Sequence, residues 1–325
     1  MIQPTHTLPD LYAPIAGELR EVERIFDEEL LSEIEFVNGL CGHVRSYRGK
    51  MMRPALLLLA AKACGGIRPA HRQLAAVVEM VHMATLVHDD VLDEASERRR
   101  QPTVGKMSGN TTAVLLGDYL ISHAFHLCSG LESQLASRRI GATTNVVCEG
   151  ELLQNMHIGD VELTEETYFE IVRRKTGSLT AVSCELGARF ADAEDEVVAA
   201  MFRYGMSAGI AFQIIDDVLD ITGEAALVGK TLRLDFRGAK LTLPFIHGLR
   251  LRPEMRDALH RAWSNGRAEF GMLNGWLQET GSIDYAVSAA ERHVADAVSQ
   301  LDAVTNGAAK ESLIGLAEFI THRRF

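Results

Sequence analysis

Two stretches of the chain carry aspartates at the same spacing. The segment EMVHMATLVHDDVLDEASERRRQPT contains Asp89, Asp90 and Asp93, and GIAFQIIDDVLDITG contains Asp216, Asp217 and Asp220, each reading D-D-x-x-D. Both lie in text of helical apolar periodicity, and on a helix positions i and i+4 share a face. Asp89 with Asp93, and Asp216 with Asp220, therefore present carboxylates side by side. Like charges at that spacing repel by about 0.2–0.5 kcal/mol on an exposed helix and by more where burial lowers the dielectric, so the arrangement calls for a cation. Oxygen-only ligation by carboxylates points to Mg2+, which keeps several waters and binds through one or two carboxylates together with substrate phosphates. One copy alone reads equally well as a solvated helical face. The duplicate argues otherwise, because both clusters follow strongly apolar turns (Ala84, Leu86, Val87; Ile210, Ala211, Phe212, Ile214, Ile215). Those turns bury each helix up to the point where the acids emerge. An EF-hand is excluded, since its calcium loop alternates ligands around a central glycine.

Basic groups answer the acids. They are Lys50 and Arg53 in GKMMRP, the run Arg98, Arg99 and Arg100 just after the first cluster, and the dispersed Lys175, Lys230 and Lys240. Arginine clamps phosphate in bidentate fashion and lysine supplies a point charge, so a metal-bound diphosphate satisfies both sets at once. The stretch GEAALVGKT from Gly223 imitates a phosphate-binding P-loop, but five residues separate its glycines where the motif has four, and no buried strand precedes it. No dinucleotide fingerprint, zinc-protease helix or nucleophile elbow is present either.

These residues need a frame. The 325 residues are 47% hydrophobic and 24% charged, which fits a globular chain and excludes a disordered or collagenous one. With 33 Lys+Arg against 44 Asp+Glu the formal charge is −11, which argues against nucleic acid or an anionic membrane surface as partner. The five cysteines are odd in number and widely spaced, without a CxxC pair, so neither a disulfide framework nor a zinc ribbon is expected. The N-terminal text lacks a signal-peptide layout, and the longest apolar run, Ala55 to Ala61, is too short to span a bilayer. A cytoplasmic protein without a transmembrane segment is the expectation. No proline occurs from Thr103 to Leu243, and strand-like alternation is scarce, which favours long helices. Breaks fall at Gly65-Gly66, Ser129-Gly130, Ile158 to Thr164 and Thr222 to Leu241, none of them an interdomain linker. The sequence thus predicts an all-α, single-domain bundle of ten or more helices over residues 1–325, with a site between long helices.

In these motifs the chain resembles the all-trans isoprenyl diphosphate (polyprenyl) synthases, from GKMMRP at Gly49 to the C-terminal helix. The resemblance implies an all-α homodimer with a deep central pocket. Both aspartate triads would hold Mg2+ against an allylic diphosphate and, with Lys175, count as the catalytic set. Arg98, Lys175 with Thr176 in KTGSL, and Lys230 in VGKT would contact the same diphosphate. Lys50, Arg53, His82 and Arg99 match the pocket for isopentenyl diphosphate, while Gln213, Lys240 and Gln154 in GELLQ match further polar positions. The implied chemistry is ionisation of the allylic diphosphate, attack by the isopentenyl double bond and loss of a proton to the released pyrophosphate.

The helix before Asp89 bears on product length. Ala84 and Thr85 are small, and Val78 and Val81 moderate, so this candidate pocket floor lets a growing chain pass. In that respect the chain resembles the octaprenyl-type enzymes more than the farnesyl enzymes, although Met83, Tyr119 or Phe125 could close the floor sooner. The chain departs from the family at three loop positions, where Arg100, Arg233 and Ala239 stand in place of glycine and restrict the backbone. A terpene cyclase is the second enzyme reading, against which the intact Lys50, Arg53, His82 and Arg99 set argues. A noncatalytic regulatory subunit is the third, and such a subunit would be expected to lose acids that this chain keeps.

Overall fold

A computed structural model of the protein describes residues 7–45, 47, 49–223, 234–265 and 270–322. The main helices are, in chain order, α1 (Ala16–Glu29), α2 (Met52–Cys64), α3 (Pro69–Leu92), α4 (Asn110–Ser129), α5 (Gln134–Met156), α6 (Glu165–Val172), α7 (Ser178–Arg189), α8 (Asp195–Thr222), α9 (Ser282–Gln300) and α10 (Ala308–Thr321). Further helical segments connect them, so the all-α expectation of ten or more helices holds.

Packing follows from which faces are apolar. In α2 every residue from Pro54 to Ala61 is buried, the mark of a helix enclosed on all sides. It lies between α3 and α7, with α10 across its remaining flank. Helix α3 starts at Pro69, whose fixed φ suits the first helical position, and packs on α2, α1 and α4. Helix α8, 28 residues long, runs between α7 and α9. By length and composition alone α8 is apolar enough to cross a membrane, but here most of its apolar window is buried among its neighbours. Its contact with α7 is unusually close. A Cβ on Gly205 would sit 2.6 Å from the Thr180 carbonyl oxygen, and one on Gly209 would sit 2.9 Å from Gly177 Cα. Only glycine lets the two backbones meet there.

Three local features escape the helical periodicity. A π-helical turn, Arg173–Gly177, joins α6 to α7 and carries Lys175 and Thr176. A small antiparallel hairpin, β1 (Glu97–Arg98) with β2 (Gln101–Pro102), follows α3. Its two-residue loop is Arg99-Arg100, with φ of +51° and +63°, as a type I′ turn requires. Ala239 likewise has φ +52°. Two of the three glycine-replacing positions therefore keep the left-handed backbone, at a cost of roughly 1–2 kcal/mol per residue. The third, Arg233, lies outside the described residues.

Candidate active site

The first aspartate triad occupies the end of α3. Asp89 and Asp90 lie in its last turn and Asp93 is the C-cap, its N–H donating to the Asp89 carbonyl at 2.8 Å. Burial, only partly countered by Lys175, pushes Asp89 up to about 6. Asp90 is buried: Arg98 Nε donates to its Oδ1 at 2.8 Å, and its Oδ2 is buried without a hydrogen-bond partner. Burial raises the Asp90 carboxyl in spite of that arginine. Asp93 Oδ1 accepts from Lys240 Nζ at 2.6 Å. The lysine is placed by the turn before it, where Lys240 N donates to the Asp235 carbonyl and Gly159 N to the Ala239 carbonyl, both at 2.8 Å.

The second triad lies in the last turns of α8, with Asp217 and Asp220 buried and Asp216 half-buried. Tyr168 OH donates to Asp217 Oδ2 at 2.6 Å, and Gln213 Nε2 to Oδ1 at 2.8 Å. Gln213 Oε1 in turn accepts from Thr176 Oγ1 at 2.8 Å. Burial, with Asp235 nearby, holds the Asp217 carboxyl well above the usual range. Lys175 Nζ donates to Gln154 Oε1 at 2.9 Å and pairs with Glu151. Burial works against its charge, but Asp89, Glu151 and Asp93 together outweigh that and raise it. A small cavity of about 80 Å³ brings Asp93, Lys175, Thr176, Gln213, Asp217 and Lys240 together.

A larger cavity, about 430 Å³, borders α3 earlier along its length, at Glu79, His82 and Met83. Lys50, Arg53, His82 and Arg99 line it, together with Leu56, Met83, Phe212 and, from α10, Leu316 and Ile320. Tyr12 OH donates to the Lys50 carbonyl at 2.7 Å, and Lys50 Nζ stands 5.5 Å from the centroid of the Phe319 ring. Arg53 Nε is buried without a partner, and burial lowers the pKa of its guanidinium. His82 is pushed well below the ordinary histidine value by burial, then by Arg53, Arg98 and Arg99, so its ring is neutral near pH 7. A Cβ on Gly49 would lie 2.2 Å from Arg99 Nη2, so this glycine makes room for the guanidinium.

Of the sequence-predicted residues, Lys50, Arg53, His82 and Arg99 line the larger cavity and Asp93, Gln154, Lys175, Thr176, Gln213, Asp217 and Lys240 the smaller one. Asp89, Asp90, Asp216, Asp220 and Arg98 line neither, though they stand on the same helix ends and hairpin, and Lys230 lies outside the described residues. On the chain-length stripe Val78, Val81 and Ala84 are fully buried, and Thr85 is half-buried with its hydroxyl donating to the His82 carbonyl at 2.8 Å. None of the four lines the 430 Å³ cavity, which α3 borders through Glu79, His82 and Met83. Tyr168, Glu151 and Glu79 were not singled out from the sequence. Glu79 and Glu151 stand three residues before His82 and Gln154 on their helices, a spacing that would have flagged them. Tyr168 carries no such signal, since it reads as one more apolar position of its helix.

Comparison with known proteins places this geometry. Residues 35–276 match the polyprenyl synthetase family model. The chain is 34% identical over 317 residues to the all-trans-nonaprenyl-diphosphate synthase (geranyl-diphosphate specific) of Rhodobacter capsulatus, covering 97% of each chain. It is 32% identical over 311 residues to the octaprenyl diphosphate synthase of Escherichia coli, covering 95% of this chain and 96% of the relative. The crystal structure of a polyprenyl synthase from Caulobacter crescentus, complexed with calcium and isoprenyl diphosphate, superposes with a TM-score of 0.95 at 30% identity over 100% of both chains. The helical frame, the paired aspartate motifs it carries and these matches have one reading: the chain belongs to the polyprenyl synthetase family.

Proposed function

We propose that the protein condenses isopentenyl diphosphate with an allylic prenyl diphosphate, giving a longer all-trans polyprenyl diphosphate and pyrophosphate. The observation that carries this is the presence of two carboxylate clusters, with Asp90, Asp217 and Asp220 buried, together with a cavity lined by both basic and apolar side chains. The aspartates fit Mg2+. Asp90 has a buried, unpartnered oxygen, and Asp89 lacks enough positive charge to hold its carboxyl in the ordinary range. Asp89, Asp90, Asp93, Asp216, Asp217 and Asp220 would hold the ion, with Asp90 and Asp217 steered by Arg98 and by Tyr168 with Gln213. Bound there, Mg2+ supplies charge stabilisation to the leaving diphosphate.

The chain's own residues account for the rest. Arg98, Lys175 and Lys230 hold the allylic diphosphate and favour the charge that develops as its C–O bond breaks, with Thr176, Gln213 and Lys240 fixing the surrounding groups. Lys50, Arg53, Arg99 and neutral His82 hold the isopentenyl diphosphate, and Leu56, Met83 and Phe212 keep water from the allylic cation. The isopentenyl double bond attacks that cation, and the proton lost from the adduct passes to pyrophosphate, so no side chain need act as base. A cyclase would have no second diphosphate to place in the Lys50–Arg53–Arg99 cavity. Products in the long-chain range are supported by the octaprenyl and nonaprenyl synthases among the relatives and by the absence of an aromatic residue at Thr85. The whole chain acts as one domain in a homodimer, for which Val114 and Leu115 on α4 and Leu152 and Met156 on α5 leave apolar surface exposed. A cytoplasmic setting suits its five free cysteines.

Incubation with isopentenyl diphosphate and farnesyl or geranylgeranyl diphosphate, with and without Mg2+, followed by mass spectrometry of the dephosphorylated products, tests the proposal. Elongated linear prenols formed only with Mg2+ are expected. Cyclic hydrocarbon, or no product from any primer, would overturn it.

A further inference from the structure

A second group of potential metal ligands converges away from the aspartates. Glu29 is the last residue of α1, and His123 and His126 stand three apart on α4, so their rings share a face. Glu29 Oε1 lies 3.0 Å from His123 Nδ1 and 2.7 Å from His126 Nδ1. The ligand atoms of the three residues all fall within 4.8 Å of one another.

We propose that Glu29, His123 and His126 form a binding site for a four-coordinate divalent transition ion, zinc by preference, separate from the diphosphate site. Two imidazole nitrogens and one carboxylate oxygen are a donor set that zinc accepts and that differs from the oxygen-only set suited to Mg2+. Metal–ligand bonds of about 2.0–2.2 Å at tetrahedral angles place the ligand atoms about 3.3 Å apart. The two Glu29–histidine pairs, now at 3.0 and 2.7 Å, would open by about 0.3 and 0.6 Å to reach that spacing. Both Nδ1 atoms face an acceptor-only carboxylate and so are the donors to it. A metal bound at Nδ1 would leave Nε2 of each ring as its donor.

The surroundings favour a site over a chance surface pair. The side chains of Glu29 and His123 are only 15% and 24% exposed, and the Tyr119 ring lies against His123 with centroids 4.3 Å apart. Two of the three ligands are therefore held in place before an ion arrives. His126, at 79% exposure, is free to adjust and leaves the fourth position open to water. Bound there, the ion would tie the C-terminal end of α1 to α4. Its expected effect is on stability and not on the prenyl transfer.

The test is titration of metal-stripped protein with Co2+ in the presence of excess Mg2+. Four-coordinate cobalt with nitrogen donors gives intense visible bands, whereas six-coordinate cobalt on carboxylates gives weak ones. One equivalent of intense absorption is expected, displaced by Zn2+ and still present in Asp89→Asn. It should be lost in Glu29→Gln, and zinc affinity should fall at least tenfold in His126→Ala, an exposed substitution that leaves the fold in place. Zinc should raise the Tm of the wild type and not that of His126→Ala. Absence of the intense band, an unchanged metal affinity in His126→Ala, or loss of the band in Asp89→Asn would overturn the proposal.

Discussion

Lys240 Nζ reaches Asp93 Oδ1 at 2.6 Å across 147 residues of sequence. The contact fastens the turn that follows the second motif to the residue that ends the first, and the lysine side chain is buried where it does so. Lys240→Ala removes the cation that hydrogen-bonds Asp93. A charge-assisted hydrogen bond is worth about 1.5–3 kcal/mol, so kcat/KM should fall roughly 10- to 100-fold. Steady-state kinetics with the allylic substrate varied would check this, and unchanged kinetics would show the pair to be incidental.

Tyr168 lines the small cavity and donates its hydroxyl to Asp217. Tyr168→Phe keeps the ring and removes the donor to Asp217 Oδ2, leaving a buried carboxylate oxygen unpaired at a cost of about 1–3 kcal/mol. Far-UV circular dichroism should be preserved while the Mg2+ concentration for half-maximal activity shifts. A purely structural tyrosine would lower Tm and leave the Mg2+ dependence alone.

Asp89 yields a pH prediction whose sign is fixed by burial. Burial raises its pKa from the ordinary aspartate value of 3.8 to about 6 in the metal-free fold. Between those values the native state binds more protons than the unfolded chain, so this group's contribution to stability is complete below about 4 and is lost as pH rises through about 6. Asp89→Asn removes that penalty. Denaturant unfolding in EDTA at pH 7.5 should show the variant more stable by on the order of 2–3 kcal/mol, with turnover abolished. For the wild type, Mg2+ affinity should drop as pH falls through about 6, since the ion then competes with a proton.

Arg100 and Ala239 hold a left-handed backbone that glycine adopts without strain. Relief of that strain is partly offset by the greater freedom glycine brings to the unfolded chain. Arg100→Gly and Ala239→Gly should each stabilise the protein by up to about 1 kcal/mol, read as a shift in the urea midpoint. Destabilisation in both would mean that the side chains contribute more than the backbone strain removes.

Thr85 stands one turn before Asp89, half-buried and small. Thr85→Phe should shorten the prenol product, checked by mass spectrometry. An unchanged product distribution would move the floor to another helix.

The sequence alone determined the helical class, the two carboxylate triads and the basic residues that answer them. These are local properties: a period of 3.6 and a D-D-x-x-D spacing report which side chains share a face of one helix. The grouping of Lys50, Arg53, His82 and Arg99 was legible from the motif resemblance, and the four do line one cavity. The tertiary structure alone decided which partner each charge takes. Nothing local to Tyr168 says that it meets Asp217, nor does anything near Glu151 point to Lys175, because those contacts depend on how α5, α6 and α8 pack. The π-helical turn at Lys175 and the I′ turn at Arg99-Arg100 are likewise invisible to periodicity, and in the second case the residues run against local backbone preference. Packing and long-range pairing outweigh local propensity there, by energies of the same small size as the strain they overcome.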